Sequence, residues 1–117
     1  MKSEDLKDRT KVFAHHCVEI ANSLPNTTLG AHIKGQLIRC TTSVAANYRA
    51  AGIAQSKDSF IAKLSIVMEE TDEAHFWMEF GVDENLLKKA QVEPLLQEAI
   101  ELTAIFASSR KTARRHS

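Results

Sequence analysis

Proline and glycine are scarce in this sequence: its 117 residues include 2 Pro and 4 Gly. Such a chain has few turn-forming residues for a protein of many short β-strands, and an apolar content of 44% argues against disorder. No stretch approaches the 18 apolar residues of a membrane-spanning helix. The opening residues, MKSEDLKDRTK, are charged and precede no apolar run, which is not the pattern of a signal peptide. We therefore expect a cytoplasmic protein that does not enter a membrane.

Cysteine is scarce as well, with Cys17 and Cys40 as the two examples. Two residues make neither a disulfide framework nor a metal-binding pair. Both fall within apolar positions of helical patterns. We expect reduced, partly buried thiols in a reducing compartment.

Patterns that signal catalysis are also missing. Residues 72–75 spell Asp-Glu-Ala-His, as in a helicase box, but the phosphate-cradling glycine loop and strand that this box needs are absent. A di-iron bundle needs Glu-x-x-His pairs on two helices and a Glu on two others. The candidates here do not have that order: His15, His16, Glu19, Glu69, Asp72 and His75. Cys17 does not face His15 or His16 on a helix. The sequence predicts no enzyme, no metal and no cofactor, with His75 partly buried and hydrogen-bonded.

Helical periodicity is what the sequence does contain. In a first segment, apolar residues from Leu6 to Leu24 recur at steps of three, four and seven, and Pro25 predicts an end near Ser23. A second helix is expected from about Leu29 to about Ile53. Thr28 is its expected N-cap.

Two further helical segments follow. Ser56 is the expected N-cap of the third helix, and Gly81 its expected end. Asp83 then caps a short turn through residues 86 and 87. Pro94 suits the first turn of a last helix.

These four segments predict an all-α protein with one domain. Long helices joined by short links pack as antiparallel neighbours, which gives an up-down-up-down four-helix bundle. We assign residues 1–109 to the bundle and residues 110–117 to a basic tail that frays.

Charge is arranged in blocks although the net charge is zero. Residues 26–63 carry five basic residues and one acid, residues 64–101 carry ten acids and two basic residues, and residues 102–117 carry four basic residues and no acid. Such blocks pair within a bundle, pair between subunits or meet an outside polyanion. For RNA as that polyanion, the predicted phosphate contacts are Lys34, Arg39, Arg49, Arg110, Lys111, Arg114 and Arg115.

One face of the third helix predicts an interface between subunits. On a helical wheel, Ile66 and Trp77 lie nearly opposite the apolar stripe that contains Phe60, Leu64 and Val67. Glu70 and Glu73 lie beside them. An apolar pair rimmed by charge fits a contact between copies of the chain, although the acids are also able to pair with the basic second helix.

Two polar residues of the second helix lie next to its apolar stripe. Asn47 is one step from the stripe and Arg39 abuts it. A buried amide needs a hydrogen-bond partner. We expect Asn47 to bond to a neighbouring helix and to fix its register.

Two segments carry a family resemblance. The first is Gln36-Leu37-Ile38-Arg39-Cys40-Thr41-Thr42-Ser43-Val44-Ala45-Ala46-Asn47-Tyr48-Arg49, and the second is Ser56-Lys57-Asp58-Ser59-Phe60-Ile61-Ala62-Lys63-Leu64-Ser65-Ile66-Val67. With Glu70, Glu73 and Trp77, they resemble the small bacterial four-helix bundle proteins known as 23S ribosomal RNA intervening-sequence proteins. The resemblance covers roughly residues 10–110.

The resemblance implies an antiparallel bundle and, commonly, a homopentameric ring. Relatives include accessory proteins of diversity-generating retroelements, which look like basic barrels that bind nucleic acid and a reverse transcriptase. The chain departs from the family at Ala50, where a Glu is usual, and in its neutral net charge.

The function that we expect is a non-enzymatic, self-associating helical bundle that contacts RNA or a ribonucleoprotein. The alternative is a protein interaction module without nucleic-acid binding, whose acidic face is the docking surface. Steep loss of affinity with salt distinguishes the first from the second, because phosphate contacts release counterions.

Overall fold

A computed structural model describes residues 3–116 and contains four α-helices over that range. They are α1 (Ser3–Asn22), α2 (Thr28–Gly52), α3 (Lys57–Asp83) and α4 (Lys89–Arg115). The predicted all-α class is confirmed. None of these helices is long and apolar enough to cross a membrane.

Side chains at the predicted turns begin α2 and α3. Ser56 accepts a hydrogen bond from the Ser59 amide at 3.0 Å, which confirms it as the N-cap of α3. The N-cap of α2 is Thr27, which accepts from the Gly30 amide at 3.0 Å. The prediction of Thr28 was wrong by one residue, because either threonine matches the sequence preference and the backbone geometry selects the first.

The end of α3 differs from the prediction. Gly81 is buried inside the helix, which continues to Asp83. A Cβ at Gly81 would lie 2.7 Å from Leu87 Cδ1, so this glycine makes room for the returning chain. The reversal occurs at Asn85, whose φ of 61° is left-handed, a conformation that asparagine tolerates. Asp83 is therefore the last helical residue and does not cap a turn.

α4 begins earlier than predicted. It starts at Lys89 and places Pro94 within the helix. Val92 and Leu95 are buried and anchor these first turns to the core, which extends the helix before the proline. α4 also runs through Arg115, so the predicted domain boundary after residue 109 falls inside a helix.

The helices form an antiparallel bundle in which consecutive helices contact one another and α1 closes against α4. The backbones of the diagonal pairs α1/α3 and α2/α4 do not approach each other closely, and these helices meet only through side chains in the core. Each helix contributes large buried side chains, such as Phe13, Leu37, Leu64 and Phe106. At the closing seam, the Arg9 guanidinium donates two hydrogen bonds of 2.6 Å to the Glu98 carboxylate.

Three threonines lie in this core, one each from α1, α2 and α3. Thr41 and Thr71 each donate to the carbonyl four residues earlier at 2.7 Å, and Thr10 donates to Lys7 O at 3.0 Å. Because each hydroxyl bonds to its own helix, the core holds these polar groups without a partner from another helix.

Candidate functional site

Arg39 joins α2 to α3 at the surface. Its Nη1 donates to Glu70 at 2.8 Å and its Nη2 to Glu73, while Nε donates to Gln36 at 3.1 Å. The hydrogen bond to Glu73, together with the attraction of both carboxylates, raises the pKa of Arg39. A predicted phosphate contact and two predicted interface residues thus form one ion-pair cluster within the chain.

Trp77 belongs to the same cluster. Its Nε1 donates to Glu73 Oε2 at 3.1 Å, and its ring meets the His32 ring of α2 edge-on at 5.3 Å. Trp77 is half-buried and packs against the core. The expectation that it faces away from the core was wrong, because the flank of α3 that carries Trp77 is covered by α2.

Two phenylalanines that the sequence analysis missed extend this cluster to the surface. Phe76 contacts Trp77 with ring centroids 5.0 Å apart, and Phe80 lies 5.8 Å from Phe76. Phe76 is 50% exposed, which is unusual for so large an apolar ring. The sequence does contain a pattern that could have identified them. Phe76 and Phe80 are four residues apart, so they share one face of the helix, and that face lies outside the apolar stripe.

The outer face of α3 comprises Ile66, Glu69, Phe76 and Phe80. Ile66 is 38% exposed, as predicted, and Glu69 is exposed one turn further on. Acids flank the aromatic part of this face at Asp72 and Glu79. The face therefore offers apolar groups within a negative surround.

Most of the predicted phosphate contacts share one end of the bundle. α2 and α4 run in the same direction, and Tyr48 of α2 contacts Phe106 of α4 with ring centroids 5.5 Å apart. Arg49 is in the last turn of α2, and Arg110 donates to Ser65 Oγ at 3.1 Å. The other basic residues that α3 and α4 place at this end are Lys57, Lys63, Lys111, Arg114 and Arg115. Lys57 and Lys63 are half-buried, and the other three are exposed. Lys34 lies in the opposite half.

Two cavities open on the side of the bundle formed by α1 and α2. The basic cavity, about 460 Å³, has Ala14, Val18 and Ala45 as its more buried lining. The charged or titratable groups around it are Lys7, Asp8, Lys11, His15 and Arg49. The apolar cavity, about 350 Å³, is lined by Leu24, Pro25, Asn26, Ala31, Lys34, Gly35 and Ile38. We call the two together the α1–α2 groove.

Asn47 does not link two helices. Its Nδ2 donates to the Ser43 carbonyl at 3.0 Å and to Ser43 Oγ at 2.9 Å, both within α2. The prediction of a bond to a neighbouring helix was wrong, because a short amide side chain reaches the preceding turn of its own helix first.

The remaining reactive side chains are held in ordinary structural roles. Burial raises the pKa of Cys40 to about 12 and raises that of Cys17 further. His75 is half-buried, as expected, and its Nδ1 lies 3.2 Å from Glu79 Oε1. Within residues 3–116, no group of three or more His, Cys, Asp or Glu side chains is arranged to hold a metal ion.

Comparison with protein families now identifies the chain. The model of the family described as 23S rRNA-intervening sequence protein matches residues 3–108. The chain belongs to this family. The match covers α1, α2, α3 and most of α4, and it ends before the last basic turns of α4. The resemblance predicted from the sequence is confirmed.

A solved structure is also similar. It is described as a protein with unknown function from the S23 ribosomal protein family of Bacteroides thetaiotaomicron. The identity is 31%, the TM-score is 0.86, and the alignment covers 95% of this chain and 99% of that one. Neither this description nor that of the family names an enzyme class. A search of curated proteins finds no match.

Proposed function

We propose that this protein is a non-enzymatic assembly module that associates with copies of itself through the outer face of α3. The observation that carries the proposal is the half-exposed ring of Phe76, backed by Trp77 and Phe80 and flanked by acids. Aromatic side chains with a packed base and a charged surround are typical centres of binding energy at protein interfaces.

The rigidity of this patch supports the proposal. Trp77 is fixed by the Glu73 hydrogen bond and by the His32 ring, and Phe76 packs against Trp77. A side chain that is already held in place loses little conformational freedom on binding. The buried thiols, with raised pKa values, do not suit nucleophilic catalysis, which supports a role other than an enzyme.

Light scattering tests self-association. We expect the wild-type protein to have a mass that is a multiple of the 13.0 kDa chain. Phe76→Glu places a charge in the contact and is expected to yield a helical monomer. The matched control is Ile100→Glu on α4. It changes an apolar side chain of similar exposure, 54%, and should leave the oligomer intact. A wild-type mass near that of one chain would overturn the proposal.

A second function, contact with RNA, is favoured by the grouping of basic residues at one end of the bundle. We propose that this end, with Lys111 and Arg115, meets RNA phosphates or those of a ribonucleoprotein. Among the described residues at this end, no Phe, Tyr or Trp is exposed that could stack on bases. The binding that we propose is therefore electrostatic and without sequence preference.

Salt titration of RNA binding tests this second function. The double variant Lys111→Gln/Arg115→Gln should weaken binding and flatten the slope of log affinity against log salt by roughly 1.5, since each phosphate contact contributes about 0.7–0.9. The control is Lys34→Gln/Lys88→Gln, which removes two charges in the opposite half. Equal losses in the two variants, or a flat wild-type slope, would contradict an RNA-binding end.

A further inference from the structure

Among residues 3–116, no segment covers the α1–α2 groove. Its basic cavity and its apolar cavity follow one another along α2, the first beside residues 42–49 and the second beside residues 31–38. Two cavities of a few hundred Å³ each are large enough to receive apolar side chains. A partner surface would have to fit both cavities at once.

The outer face of α3 carries apolar side chains at the matching heights. Arg39 lies beside Glu70 and Glu73, and His32 lies beside Trp77, which sets the register of α2 against the antiparallel α3. In that register, Ile66 is level with the basic cavity and Phe76 with the apolar cavity. If a second copy lay alongside with its helices parallel, the two apolar projections of one molecule would face the two cavities of the other.

Charge is complementary at both heights. The basic cavity has Lys7, Lys11 and Arg49 against Asp8 alone, with His15 also at its edge. Next to Ile66 on the outer face is the exposed Glu69. Lys34 borders the apolar cavity, and Asp72 and Glu79 flank Phe76. Such a pattern favours one register and one orientation of the two surfaces.

The two surfaces cannot meet within one molecule. α1 and α3 are diagonal in the bundle, so the groove and the outer face of α3 lie on different sides. We propose that the outer face of α3 of one copy docks into the α1–α2 groove of the next, with Ile66 entering the basic cavity and Phe76 the apolar cavity. Contacts between two different patches are heterologous and generate a ring when the rotation closes. This inference rests on the self-association proposed above and names its receiving surface.

Complementation between two variants tests the docking. The groove variant is Lys11→Glu/Arg49→Glu, which reverses two charges and leaves the outer face of α3 unchanged. The face variant is Phe76→Glu, which leaves the groove unchanged. Each should be a helical monomer by circular dichroism and light scattering. Mixed in equal amounts, they should form one complex of about 26 kDa, twice the 13.0 kDa chain, because one intact pair of surfaces remains.

A steric variant and a charge control complete the experiment. Gly35→Leu fills the apolar cavity, and because a Cβ at Gly35 meets no atom within 4 Å, the variant should fold and lose the oligomer. The charge control, Lys88→Glu/Lys89→Glu, reverses two charges outside the groove and should keep the oligomer.

The outcomes separate the two proposals. If the groove variant and Gly35→Leu keep the wild-type mass while Phe76→Glu dissociates, self-association stands and the groove is not its receiving surface. If the equal mixture stays monomeric although both variants are folded, docking of face into groove is also wrong. A monomeric wild type overturns both proposals.

Discussion

Arg39 of α2 and Trp77 of α3 donate to the same carboxylate oxygen, Oε2 of Glu73. One acceptor therefore couples the ion pair between the helices to the orientation of the only tryptophan. Glu73 is therefore shared by the ion pair between α2 and α3 and by the base of the exposed aromatic cluster.

Substitution of Glu73 should affect stability and fluorescence together. Glu73→Gln keeps the shape but removes the charge, and we expect the free energy of unfolding to fall by about 1 kcal/mol or less, since ion pairs with exposed partners contribute little. Tryptophan emission should shift because the indole N–H loses a charged acceptor. Urea unfolding followed by fluorescence measures both. Glu93→Gln, an exposed acid on α4, should change neither; an unchanged emission in Glu73→Gln would show that Trp77 does not depend on it.

Replacement of Asn47 should be mildly destabilising. Its hydrogen bonds lie within α2, and alanine is the better helix former, so the loss of roughly 1 kcal/mol per bond is partly offset. We expect the melting temperature of Asn47→Ala to stay within a few degrees of the wild type. Leu37→Ala, at a fully buried position of the same helix, should instead cost about 2–5 kcal/mol. A comparable loss in Asn47→Ala would indicate a link between helices.

The two interior glycines of α2 and α3 should respond oppositely to alanine. At Gly35 the added methyl meets open space, and the helix gains roughly 1 kcal/mol of propensity. At Gly81 the methyl would approach Leu87 Cδ1 to 2.7 Å and Cγ to 3.1 Å, so a buried side chain must move. Thermal unfolding should show a higher midpoint for Gly35→Ala and a lower one for Gly81→Ala. These shifts should be measured in the Phe76→Glu background, in which the proposed assembly is not expected to contribute.

The native thiols should be unreactive. Burial raises the pKa values of Cys17 and Cys40, and the thiolate is the reactive form, so little of it exists at pH 8. A chromogenic disulfide reagent should modify the thiols of the native protein only as fast as the protein unfolds. In denaturant, the same reagent should modify both thiols immediately. Ala90→Cys, at an exposed position, provides the fast-reacting control. Rapid modification of the native wild-type chain would mean that this part of the core opens readily.

Much of the fold follows from local sequence patterns. The step of three and four between apolar residues is a property of each helix alone, so the stripe of α3 from Phe60 to Met78 predicted its core face correctly. Ser56 was identified as a cap because that preference depends on the adjoining turn. The predictions failed where tertiary contacts override the local preference of the sequence. Burial of Val92 and Leu95 stabilises helical turns of α4 before Pro94, and Gly81 lies inside α3, where it makes room for Leu87.

The sequence by itself determined the number of helices, their apolar faces, the family, and the residue types that form the clusters. Only the tertiary structure decided which of those residues meet. A helical wheel describes one helix, and it placed Trp77 at the surface because it does not include α2, which covers that flank. In the same way, the charge blocks left open whether Glu70 and Glu73 pair inside or outside the chain. The packing of α2 beside α3 brings Arg39 to both, because that pairing depends on the distance between two helices, which no local pattern encodes.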